Sequence, residues 1–77
     1  MSKHNIEQSV RDSLGMYFRD LDGSRPHDVY RMVMSYVEQP LLEIVLKQAL
    51  GNQSLAAEYL GINRNTLRKK LQEYGLL

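Results

Sequence analysis

The chain has 77 residues, no cysteine and a net charge of only +1. A domain of this size buries about 60% of its unfolded surface and is marginal alone, disulfides and thiolate metal sites are excluded, and bulk charge does not by itself announce a polyanionic partner. The absence of cysteine suits a reducing cytoplasm, and the polar N-terminus and charge-interrupted apolar stretches hold no signal peptide or membrane span.

Met1–Asn5 reads as a short frayed tail. From Ile6 the apolar residues fall at Ile6, Val10, Leu14, Tyr17, Phe18 and Leu21. Those steps of three and four predict a first helix over about Glu7–Leu21. Asp22-Gly23-Ser24-Arg25-Pro26 is rich in turn formers and reads as a linker.

A second helix is expected from about Asp28 to Leu50, capped near His27 or Asp28. Fourteen of the twenty-two residues between Val29 and Leu50 are apolar, too many for one face of a surface helix. A chain this short cannot surround such a helix, so the expectation is an intertwined homodimer with this helix at its centre. Pro40 removes one N–H donor and crowds the carbonyl of Tyr36. One kinked helix is preferred over two helices broken at Gln39-Pro40, because the apolar pattern resumes at once and no glycine or Asn/Asp turn accompanies the proline.

The stretch Gly51–Leu77 has the punctuation of two short helices joined by a tight turn. Gly51 can end the preceding helix and Asn52 can cap a third over about Gln53–Leu60. Small Ala57 allows a close, steep crossing, Gly61 supplies a positive φ, and Ile62 plugs the corner. Asn63 caps a fourth helix from about Arg64 to Glu73 or Tyr74, with Leu67, Leu71 and Tyr74 inward. Asn65, Arg68, Lys69 and Gln72 lie opposite Leu67, and Arg64 projects from the first turn.

The charge distribution sharpens this reading. Residues 1–50 carry −1 and residues 51–77 carry +2, with Arg64, Arg68, Lys69 and Lys70 inside one seven-residue span. A solvated helical hairpin is the plain alternative, and an isolated charge run would favour it. Here corner spacing and charge placement agree, so a DNA-binding helix-turn-helix is the better reading. Arg64 supports it further, since a cation in a first helical turn is disfavoured by the helix dipole unless something anionic faces it.

The fold class expected is therefore all-α, four helices, an intertwined homodimer with a C-terminal helix-turn-helix. Residues 1–50 form the tail and dimerisation helices and residues 51–77 the DNA-binding region, together one compact domain. His4 and His27 are far apart without partner ligands, so no metal is expected, nor any cofactor. Nothing places a nucleophile beside a base and no phosphate loop is present, so an enzyme is not expected. The tyrosines read as core or interface residues, and Met16, Met32 and Met34 as core filler.

The stretches RDSLGMYFRDLDG, DVYRMVMSYVEQPLLEIVLKQALGNQS and LGINRNTLRKKLQEYGLL together resemble the bacterial factor for inversion stimulation (Fis) family, from about Val10 to the end. The last third is equally similar to the DNA-binding domain of NtrC-type enhancer-binding activators. The match in the first helix and the start at Met1 favour Fis, with an activator's DNA-binding and dimerisation domain as the alternative.

The resemblance implies a nucleoid-associated, cytoplasmic homodimer that binds degenerate sites, bends DNA whose successive major grooves lie too far apart for its two recognition helices, and modulates transcription and recombination. It implies base reading by Asn63 and Arg64, the latter able to donate twice to guanine O6 and N7. Backbone contacts map onto Asn52, Gln53, Ser54, Thr66, Arg68 and Lys69, with Lys70 nearer the flanking DNA. RNA polymerase is a further implied partner.

Three departures bear on these expectations. Leu55 stands where relatives often carry a basic residue, and Gln72-Glu73 replaces what can be a basic pair, so weaker binding with a shallower salt slope is expected. Met1–Ser9 leaves no room for the mobile hairpin that contacts DNA invertases in some members, so inversion stimulation is not expected. Outside the DNA readings, a protein-interaction and dimerisation module is the competing class. Single-stranded RNA binding is disfavoured because it needs exposed aromatics for stacking.

Overall fold

The computed structural model describes residues 2–77. Four α-helices follow one another: α1 (Lys3–Asp20), α2 (Val29–Gln48), α3 (Gln53–Leu60) and α4 (Arg64–Glu73). Contacts divide the chain into two units between Val33 and Met34, inside α2.

In the N-terminal unit α1 starts four residues before the apolar stripe predicts, taking in most of the segment read as a frayed tail; Met1 lies outside the described residues. Polar pairs one turn apart carry these early turns. Lys3 and Glu7 form an ion pair at 3.8 Å, and the Gln8 side-chain amide donates to Asp12 at 2.8 Å. Such pairs each contribute only about 0.2–0.5 kcal/mol, and they leave no apolar period to read. No residue of α1 is buried, and Ile6, Met16 and Phe18 are exposed. Met16 is thus not core filler within this chain. After α1, Asp22 and Gly23 both take positive φ as the chain turns.

Asp28 precedes α2 with φ 53, outside the extended conformation usual for a capping side chain. Its carbonyl nevertheless opens the helix, accepting from the Met32 amide. α2 runs through Pro40 as one continuous helix, as preferred over a break.

In the C-terminal unit, Leu42, Ala49, Ala56, Ala57, Leu67 and Leu71 form a buried cluster, with Val45, Leu46, Leu55, Leu60, Ile62, Tyr74 and Leu76 packed around it. The two alanines of α3 are what allow α4 to pack close to the α3 backbone. Leu67 and Leu71 are the largest fully buried side chains. Burying each contributes about 1.5–3 kcal/mol relative to exposure.

Three helix ends in this unit close by the same device. The Gly51 amide reaches back to the Leu46 carbonyl, Ile62 to Ala57 and Leu76 to Leu71, each spanning five residues. A left-handed residue sits just before each donor, at Leu50, Gly61 and Gly75. This is the geometry of the Schellman motif, and Ile62 and Leu76 also deliver its hydrophobic contact. At Gly61 and Gly75 the residue type suits the conformation. At the end of α2 the left-handed residue preceding the donor is Leu50 (φ 56), with Gly51 (φ 81) following it, so α2 stops two residues short of the predicted boundary.

Candidate nucleic-acid interface

The boundaries of α3 and α4 coincide with the sequence reading because each start carries a side-chain cap and each end a glycine. Asn52 Oδ1 accepts from the Leu55 amide at 3.1 Å. Asn63 Oδ1 accepts from the Asn65 amide at 2.7 Å. Gly61 takes φ 74 between them. Each cap contributes about 1 kcal/mol.

The turn brings the two helix starts together. Arg64, first residue of α4, donates from Nη1 to Ser54 Oγ in the first turn of α3 at 3.3 Å. Asn52, Ser54, Asn63, Arg64, Asn65, Thr66, Arg68 and Lys69 are all exposed, and Gln53 is half-buried. The structure therefore brings both ends of the candidate set onto one accessible surface. That surface carries three cations and the N-terminal turns of two helices, whose dipoles add partial positive charge. Its chemistry is that of an anion-binding surface with two exposed amides, Asn63 and Asn65, beside it.

Lys70 is placed differently from the other candidates. Its Nζ lies 2.6 Å from Glu38 Oε2 in α2. The Tyr74 hydroxyl donates to the other oxygen, Oε1, also at 2.6 Å. Glu38 retains 20% of its side-chain exposure and Lys70 32%, so this group is half withdrawn from solvent. The hydrogen bonds from Lys70 and then Tyr74 hold the Glu38 carboxyl below its usual range, aided by the Lys70 charge and opposed by desolvation. Glu38 carries no signal in the sequence reading. Its one clue is position, four residues before buried Leu42 and thus on the same face of α2.

With this geometry in view, comparison with known proteins decides the family. The model of the Fis family of bacterial regulatory proteins matches residues 34–74. The chain belongs to the Fis family. That family is one of regulatory proteins, not of enzymes. A Fis-like DNA-binding protein of Ralstonia nicotianae is 64% identical over 77 residues, covering all of both chains. One from Neisseria meningitidis serogroup A is 55% identical over 73 residues, 95% of this chain and 92% of that one. The DNA-binding protein Fis of Glaesserella parasuis is 47% identical over 74 residues, 96% of this chain and 71% of that longer protein. The matched segment contains both caps and the Gly61 corner. Among the described residues no helix is long and apolar enough to cross a membrane.

Proposed function

We propose that this chain binds double-stranded DNA as a homodimer, inserting α4 into the major groove, bending the duplex and regulating transcription from degenerate sites in the bacterial nucleoid. The observation that carries this reading is the joined pair of helix starts. Arg64 and Ser54 meet there, with Asn63 exposed at the opening of α4. In this reading Asn63 and Arg64 read base edges, while Asn52, Gln53, Ser54, Thr66, Arg68 and Lys69 hold phosphates. Relatives matched through α1 bear Fis names, which supports the nucleoid-associated role over the activator-domain alternative.

The dimer is supported by the outer face of α2. Tyr36, Val37, Leu41 and Ile44 are 69%, 41%, 45% and 61% exposed. At about 100° per residue they occupy a sector of roughly 140°, adjoining the sector of Glu38, Leu42, Val45 and Ala49 that faces the cluster with α4. An apolar face of this kind is what a second copy would cover.

The test is binding measured against salt for wild type and Arg64→Ala, using one short duplex with guanines spaced for two half-sites and one scrambled, with solution mass recorded alongside. A dimer that prefers the guanine duplex only when Arg64 is present supports base reading, with an expected loss of about 1–3 kcal/mol for the variant. Equal, weak binding to both duplexes rejects it, and a monomer rejects the dimer. Gel mobility of a site placed at different positions along a fragment then tests bending.

A further inference from the structure

We infer that Glu38 is a positioning residue for the recognition helix, holding Lys70 and Tyr74 so that α4 keeps one orientation on α2 and Lys70 is withdrawn from phosphate contact. The inference rests on the DNA-binding reading above and gives Lys70, a candidate DNA contact, a different role.

Its basis is geometric. Lys70 and Tyr74 are four residues apart, one above the other on the same face of α4. Glu38 meets both at once, Oε2 taking the ammonium and Oε1 the hydroxyl, each at 2.6 Å. Beside it, Leu42, Val45, Leu46 and Ala49 of α2 and Leu67 and Leu71 of α4 share one apolar cluster. Apolar burial is non-directional and tolerates small rolls and slides of one helix on another. Two short hydrogen bonds to one carboxylate, at least one charge-assisted, do not. The clip therefore supplies the directional restraint that the leucines lack. In α4 it sits on the flank beside Leu67 and Leu71, whereas Lys69 and Arg68 remain exposed.

Base reading depends on where the first turn of α4 points. Rolling α4 would move Arg64 and Asn63 relative to any groove. Phosphate contacts made by flexible side chains would survive such a change. Loss of the clip should thus lower discrimination between duplexes more than it lowers overall binding.

The experiment compares Lys70→Met, Tyr74→Phe and Lys69→Met with wild type on the guanine and scrambled duplexes across a salt series, with helical content recorded for each. Lys70→Met keeps the aliphatic stem, and Tyr74→Phe keeps the ring, so the packing around both is retained. Expected for Lys70→Met and Tyr74→Phe is an unchanged slope of log K against log salt and a several-fold fall in the ratio of guanine to scrambled affinity. Lys69→Met should lower the slope by about 0.9 per phosphate released and leave the ratio intact. If Lys70→Met lowers the slope as Lys69→Met does, Lys70 is a phosphate contact and the positioning role is overturned. An unchanged ratio in both clip variants overturns it equally, while the DNA-binding reading stands. If wild type binds neither duplex, that reading fails and the positioning role fails with it.

Discussion

Arg64 donates from Nη1 to Ser54 Oγ at 3.3 Å, joining the first turn of the fourth helix to the first turn of the third. The bond uses one donor of five, so the guanidinium keeps donors to spare for a base edge. It narrows the rotamers of a long exposed side chain, which lowers the ordering cost when Arg64 is engaged. Ser54→Ala should therefore weaken binding to the guanine duplex by less than about 1 kcal/mol, the scale of one net hydrogen bond. In an Arg64→Ala background the same change should cost less, what remains being the loss of the phosphate contact of Ser54 itself. A double-mutant cycle measures this; equal losses in both backgrounds would mean that Ser54 acts on DNA alone.

The left-handed residues at the helix ends give opposite expectations. Leu50 holds φ 56 with 93% of its surface exposed, so its side chain contributes almost no packing to offset the strain of about 1–2 kcal/mol. Leu50→Asn places a residue that tolerates this conformation and should raise the urea midpoint. Gly61 has φ 74 and open space where a Cβ would stand. Gly61→Ala should thus lower stability through backbone strain alone, by about 1–2 kcal/mol, and the midpoint with it. A lower midpoint for Leu50→Asn would show that a covering partner, not strain, governs that position.

Much of this was legible from residues. Asn52 and Asn63 are capping types ahead of helical periods, and Gly61 and Gly75 are the residues a left-handed turn prefers, so local chemistry marks the C-terminal helices. Two features escaped for physical reasons. α1 begins with polar pairs such as Lys3 and Glu7, which support a helix without an apolar stripe. The end of α2 takes its turn at Leu50, one residue ahead of the glycine, where residue type argues against it. Lys70 shows the limit of reading a basic run as one surface. At 100° per residue it lies about 60° from Leu67, on the buried flank of α4. Its partner is thirty-two residues away in sequence, on another helix, and no local pattern pairs the two.

The outer face of α2 makes the dimer directly testable. Ile44 is 61% exposed within one chain, among Tyr36, Val37 and Leu41. On a free surface, Ile44→Glu is nearly neutral. Buried against a second copy, it leaves an unpaired carboxylate in an apolar contact, and both chains suffer it. The variant should sediment as a monomer, or lose helical signal in a concentration-dependent way, under conditions where wild type is dimeric. An unchanged mass would remove this face from the interface.

The Glu38 clip also predicts how stability responds to acid. Its carboxyl is held below the ordinary glutamate range by the Lys70 and Tyr74 hydrogen bonds, so the folded state favours the ionised form. A carboxylate with a lowered folded value contributes stability that is fully present above its unfolded value. That contribution is lost as pH falls through the folded value. In Glu38→Gln the carboxylate is gone and its share of the pH dependence goes with it, while the glutamine oxygen can still accept from Tyr74. The difference in urea midpoint between wild type and Glu38→Gln should therefore be largest near neutral pH and shrink in the acid range, with wild type the more stable throughout the plateau. Exposure of a fifth of the Glu38 side chain means that salt will screen part of the effect, so the gap should also narrow at high ionic strength. A gap that stayed constant from neutral to acid pH would mean that the carboxylate charge does not hold α4 to α2, and the hydrogen-bonded shape alone would then carry the contact.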